Sequence, residues 1–212
     1  MKLRAQNTIW YITGITVVVF ILQQFLSRET LYQLILTPDI FSRPWILVTH
    51  MFLHGGVAHI LFNMYALIVF GALVLQIVGW KRFLMLYFVS GIVAGIVASF
   101  FYPASLGASG AIMGVLAALV VFMPKLKVLF FFAIPMPFWV AGIVWMLLDI
   151  GGIFYPSGTG NIAHLVGMAV GFTFALVWKQ KKKKFYKGSF SKKTHLDQKD
   201  IDNYLSNGNL YN

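Results

Sequence analysis

Apolar positions fill six long runs of this chain, near Asn7–Leu26, Val57–Gly79, Arg82–Phe101, Ser109–Met123, Met136–Phe154 and Asn161–Trp178. Runs of this length and apolarity predict helices that cross or enter a bilayer. The fourth is anomalous. It opens on Gly107-Ala108-Ser109-Gly110 and stops before the basic pair Lys125 and Lys127. At ~1.5 Å per residue the stretch from Ser109 to Met123 rises only about 21 Å, against roughly 30 Å of hydrocarbon. Ser109 is therefore expected inside the thickness of the membrane, at a helix start. Irregular backbone at that depth is tolerated only inside protein or beside a water-filled cavity.

The segments between the runs differ in character. Ser27 to Gly56 is too apolar for a solvated loop, with Leu31, Leu34, Ile35, Phe41, Trp45, Ile46 and Phe52. It is expected to lie partly in the outer interface as short helices. Pro135 and Pro137 suit a helix start, so 127–134 reads as an interfacial connector. Gly91-x-x-x-Gly95 and Gly167-x-x-x-Gly171 permit close helix contact.

Composition agrees with a polytopic membrane protein. The 212 residues are 59% hydrophobic and 11% charged. With no cysteine, disulfides, thiol nucleophiles and Cys-ligated metals are excluded. Only six acidic residues occur, three of them in the polar tail, too few for a paired-carboxylate mechanism within the membrane. The net charge of +11 suggests nucleic acid until its distribution is followed. Of the 17 basic residues, 15 fall on one side of the six-span reading, leaving Arg28 and Arg43 opposite. The positive-inside rule then places both termini in the cytoplasm, and no nucleic-acid partner is expected. Trp10, Trp80 and Trp178 fall at the inner ends, as an aromatic belt would. The basic, apolar N-terminus has a run of about 20 residues and no clear small-residue cleavage site, so it reads as a retained span. Residues 179–212 form a Lys-rich, then polar tail, expected to be disordered and to touch anionic lipid.

Chemistry concentrates on one serine and a few histidines. From Ser109 to Met123 is 14 residues, and from His164 to Trp178 is also 14. Both side chains should stand about 21 Å above the inner boundary, where they can form a nucleophile–base pair. Asp149 is the one carboxylate near a span that could orient the histidine, but a Ser–His dyad is the favoured reading. His59 and Asn63 share a helix face, and Asn63 should lie about 25 Å above the inner edge. Two such donors, with the Ser109 backbone N–H at a helix N-terminus, could hold the oxyanion of a tetrahedral intermediate. Packing through interhelical hydrogen bonds is the plainer use of His59 and Asn63. His50, His54 and His59 cluster within ten residues, yet no acid lies nearby and no His-Glu-x-x-His occurs, so no metal or other cofactor is expected. His195, in the tail, is expected to be inert.

Three stretches together resemble the rhomboid family of intramembrane serine proteases. His54-Gly-Gly-Val-Ala-His59-Ile-Leu-Phe-Asn63 resembles the histidine–asparagine motif of the family's second helix. Gly107-Ala-Ser109-Gly110 matches the G-x-S-G that opens the fourth, and Ala163-His164-Leu-Val-Gly167-Met-Ala-Val-Gly171 matches the sixth. The resemblance implies an all-α, six-transmembrane-helix rhomboid core over residues 1–178. The fourth helix would be short and start at mid-membrane, and the first loop, about 27–56, would be partly embedded. It implies Ser109 as nucleophile, His164 as general base, and His59, Asn63 and the Ser109 amide as the oxyanion hole. Gly107, with Gly110 beside the serine, would let the loop approach closely. His54 resembles a structural histidine, Gly167 and Gly171 belong to the sixth-helix motif, and span five resembles the substrate gate. Two positions depart from the pattern. Trp45-Ile46 stands where Trp-Arg is common, with Arg43 the candidate to supply the charge, and Gln76 stands where a glutamate is common.

The reaction so implied is hydrolysis of single-span membrane proteins near the outer face, in a bacterial plasma membrane. Oligomeric state is open. A non-catalytic binder of membrane helices and a small-solute transporter are the other readings.

Overall fold

A computed structural model describes residues 7–130, 133–155 and 158–189; at Phe130 and from 180 to 189 it describes the backbone alone. The first unit, Met1–Leu176, contains the site. It opens with α1 (Thr8–Gln23). The next helix, α2 (Arg28–Tyr32), is capped by Ser27, whose Oγ accepts from the Thr30 N–H at 3.2 Å. Then come α3 (Ile46–Thr49) and a 3-10 turn, His50–Phe52. The apolar loop expected between the first two runs is thus partly helical, as its composition suggested.

The second run is one continuous apolar stretch, Val57–Val78, built of α4 (Val57–Ala66), a π-turn at Leu67–Gly71, and α5 (Ala72–Val78). Gly79, at φ +78°, breaks it from α6 (Trp80–Ala98); few other residues take this left-handed conformation without strain. α7 (Ser109–Phe122) has eleven of its fourteen residues buried. A helix apolar all round belongs at the centre of a bundle, and α6 and α9 both pack on α7. The remaining helices are α8 (Phe138–Phe154) and α9 (Asn161–Ser189). Val57–Val78, Trp80–Ala98 and Asn161–Lys179 are long and apolar enough to cross a membrane. Thr8–Gln23, Ser109–Phe122 and Phe138–Phe154 are shorter apolar helices.

The expected connector at 127–134 is instead a hairpin. β1 (Lys127–Phe130) pairs antiparallel with β2 (Ile134–Pro137), with Lys127 opposite Pro137 and Phe130 opposite Ile134. A Val- and Phe-containing segment between two helices satisfies its backbone groups by pairing with itself. The chain is therefore mostly helical rather than purely so. Of the polar tail, Lys179 and the backbone helix from 180 to Ser189 fall within the described residues; His195 and the rest of the tail lie outside them.

Candidate active site

The loop before α7 is stitched to the first-loop segment at two places. Leu36 and Ser105 exchange backbone hydrogen bonds of 3.0 and 2.9 Å, and the Gly107 N–H donates to the His50 carbonyl at 2.9 Å. Gly107 has φ +122°, and a Cβ there would lie 2.7–2.8 Å from Cε1 and Nε2 of His59. Glycine is required twice over, by backbone conformation and by the imidazole resting on it. Ser109 follows as the first residue of α7. Its backbone N–H is one of the helix-start donors that have no intrahelical acceptor. Its side chain is half-buried and lines a cavity of about 800 Å³.

His164 reaches the same cavity from α9. The α9 start is held by Tyr102, whose hydroxyl accepts from the Ile162 N–H at 3.1 Å. Below it, α7 and α9 run parallel in backbone contact. A Cβ on Gly167 would strike the Gly110 carbonyl oxygen, and one on Gly171 the Gly114 carbonyl oxygen. The same sequence offset relates both pairs. In that register Ser109 stands level with Val166, two residues along from His164, an axial separation of about 3 Å. The equal depth expected from sequence is met to within about half a helical turn.

His164 has a partner that the dyad reading left out. Its Nδ1 stands 2.9 Å from Oδ1 of Asp149 on α8, with both residues buried. The second oxygen, Oδ2, is buried and has no hydrogen-bond partner among the described residues. Asp149 was the weaker alternative in sequence because fifteen residues and a helix reversal separate it from His164.

His59 and Asn63 face the cavity from α4. His59 Nδ1 accepts from the Gly55 N–H at 3.4 Å, which leaves Nε2 as the protonated nitrogen and a donor. Asn63 Nδ2 donates to the His59 carbonyl at 2.8 Å, using one of its two hydrogens. His54 packs edge-on to His59, ring centroids 5.0 Å apart. Its backbone is clamped from α1 by Gln23, whose Nε2 donates to the His54 carbonyl at 2.6 Å and whose Oε1 accepts from the His54 N–H at 3.1 Å. Burial pushes the His54 imidazole down to about 4, with a contribution from neighbouring His59. Burial does the same to His50, also to about 4. His50 sits against Gly95, where a Cβ would lie 3.0 Å from its Cε1. Met51 fills the space over Gly91, where Ala111 of α7 also lies close, so the Gly91–Gly95 pair receives first-loop side chains as well as a helix.

One of the two departures from the family pattern has a structural counterpart. Arg43 donates to the Tyr32 carbonyl, Thr37 Oγ1 and Asp39 Oδ2, each at 2.7 Å, and lies over the Tyr32 ring. It knits the first loop, while Ile46 is fully buried in the core. Trp45 Nε1 donates to the Gln33 carbonyl at 2.8 Å. Gln76 is exposed.

The fold thus brings Ser109, His164, His59, Asn63 and Gly107 to one cavity, with Gly110, Gly167 and Gly171 at the contact beneath and His54 behind His59. Among the described residues no three His, Asp, Glu or Cys side chains stand together as a metal set. Such a cavity offers a hydroxyl, an imidazole and several hydrogen-bond donors, the requirements of acyl transfer. Sequence reasoning missed the Gln23 clamp and Gly110-x-x-x-Gly114, the partner of the α9 glycines. The latter was legible, because its spacing equals that of the stripe it meets.

The rhomboid domain family model matches residues 42–181. The chain is 36% identical to rhomboid protease GluP of Bacillus subtilis over 129 residues, covering 60% of this chain and 25% of that protein. It is 28% identical to rhomboid protease GlpG of Haemophilus influenzae over 171 residues, covering 79% of this chain and 86% of that protein. It is 31% identical to the putative rhomboid protease YdcA of Bacillus subtilis, covering 67% and 71%. The chain spans a quarter of the length of GluP.

Proposed function

The chain belongs to the rhomboid family of multi-pass membrane proteins, and we propose that it is an intramembrane serine endopeptidase. The observation that carries this reading is the convergence of Ser109, His164, His59 and Asn63 on one cavity of about 800 Å³. Ser109 Oγ attacks the scissile carbonyl while His164 takes its proton and passes it to the leaving amine. Negative charge develops on the carbonyl oxygen, where the Ser109 amide, the His59 Nε2–H and the free Asn63 N–H can donate to it. Water then hydrolyses the acyl-enzyme, with His164 again as base.

The substrates are single-span membrane proteins. A helical segment must unwind before cleavage, because its carbonyls are engaged in its own hydrogen bonds. α8 is the candidate gate: Phe138 at its start packs on Phe70 of the π-turn, ring centroids 5.2 Å apart, and both line the cavity. The six apolar helices form the rhomboid core within 1–178, with 179–212 a separate polar tail. Basic-residue placement puts both termini in the cytoplasm, in a bacterial plasma membrane.

A fluorophosphonate probe tests the reading. It should label the wild-type protein covalently and lose that label in Ser109→Ala. Equal labelling of both, or labelling of neither, would refute the assignment of Ser109.

A further inference from the structure

We propose that Asp149 is a positioning residue for His164, so that the working group is a Ser–His pair aligned by a carboxylate from a third helix. The inference rests on the peptidase reading and deepens it. A carboxylate can only accept, so the 2.9 Å contact fixes the proton of His164 on Nδ1. The Nε2 lone pair is then free for the serine hydroxyl. Without Asp149 the imidazole is free to take the other tautomer, with Nε2 protonated and useless as a base. The contact also fixes the ring about its own axis.

The surroundings favour this role over plain packing. Asp149 is the one acidic residue described in any of the six apolar helices, and it is buried. Ionisable side chains in membrane helices are costly. The unpartnered Oδ2 makes this one costlier still, since a buried acceptor without a donor gives up its hydration with nothing in return. Helix contact alone is already supplied nearby without charge. Gly152, three residues along α8, seats the side chain of Asn161 on α9, where a Cβ would lie 2.5 Å from its amide nitrogen. What the carboxylate adds is a directed acceptor for one imidazole nitrogen. Because it comes from α8, His164 is aligned only while α8 is seated against α9.

Two measurements on purified full-length protein in detergent test this. Asp149→Asn and Asp149→Ala should lower kcat roughly 10- to 100-fold, the worth of a hydrogen bond to a charged group, with KM unchanged. The fluorophosphonate reaction rate should fall in parallel, and Asp149→Glu should recover part of the loss. Unchanged kcat in Asp149→Asn and Asp149→Ala, with Ser109→Ala inactive, would overturn the positioning role and leave the peptidase reading intact. The second measurement needs no turnover and reads the wild-type protein. Nitrogen-15 NMR of histidine-labelled wild type, with His164 assigned by its loss in His164→Gln, should show the proton on Nδ1. A proton on Nε2 would overturn the proposal. If Ser109→Ala proved fully active, the peptidase reading would fail while the tautomer still reported on the Asp149–His164 contact.

Discussion

Replacing Gly167 by alanine probes how tightly the two halves of the site are held together. The added Cβ would strike the Gly110 carbonyl oxygen and lie 2.9 Å from its carbonyl carbon and 3.4 Å from its Cα. Carbon atoms prefer about 3.5–4.0 Å and the oxygen contact is closer still, so α7 and α9 must part by about 1 Å or more. Overpacking of this kind costs about 1–3 kcal/mol, partly offset by up to about 1 kcal/mol of better helix propensity. The atom struck is backbone and cannot swing aside, so the net loss of stability should lie toward the upper end of that range. The proposed reaction should suffer as well, because Ser109 adjoins Gly110 and His164 lies one turn before Gly167. A displacement near 1 Å between reacting groups costs roughly 10²-fold in rate. The assay is kcat/KM on a single-span reporter, beside thermal unfolding in detergent. Gly151→Ala on α8 is the control, since an added Cβ there meets nothing within 4 Å. It should retain full activity and equal or slightly higher stability. Wild-type kcat/KM in Gly167→Ala would refute the claim that this glycine contact sets the alignment of Ser109 with His164.

Three further outcomes follow from the same geometry. Gly107→Ala should abolish activity, because the new Cβ meets the His59 ring and φ +122° is strained for alanine; a crystal structure of an active Gly107→Ala protein would contradict this. Gln23→Ala removes both bonds to the His54 backbone and should lower unfolding stability by roughly 1–3 kcal/mol, measured by denaturant titration in mild detergent. His50 and His54 are held near 4 when folded, against 6.5 for the free group, so the unfolded chain binds their protons first. Stability should be full above about pH 6.5, fall as pH drops toward 4, and level off below; an unfolding temperature independent of pH over that window would contradict the burial of these rings.

Much of this arrangement was legible from sequence, and the reasons are local. The apolar runs and the early stop before Lys125 locate helix starts to within two residues, because length and hydropathy are properties of contiguous sequence. The shared depth of Ser109 and His164 was readable for the same reason: helical rise turns residue counts into height. The Asp149–His164 contact was not, because it depends on how α8 rotates about its own axis. No spacing within one element encodes that rotation. The β1–β2 hairpin was hidden differently. Lys127–Phe130 and Ile134–Pro137 are four residues each, too short to carry a periodic signal. Arg43 was identifiable as a candidate, but its four oxygen partners come from Tyr32, Gln33, Thr37 and Asp39, whose meeting required the turn of the first loop.

The most direct test is proteolysis in a bilayer. Wild-type protein and Ser109→Ala, each reconstituted into liposomes with a panel of single-span reporters, would be compared by mass spectrometry of the products. The account predicts a discrete cut within or beside the membrane helix of at least one reporter, present with the wild type and absent with Ser109→Ala. The same cut made by both proteins would contradict it.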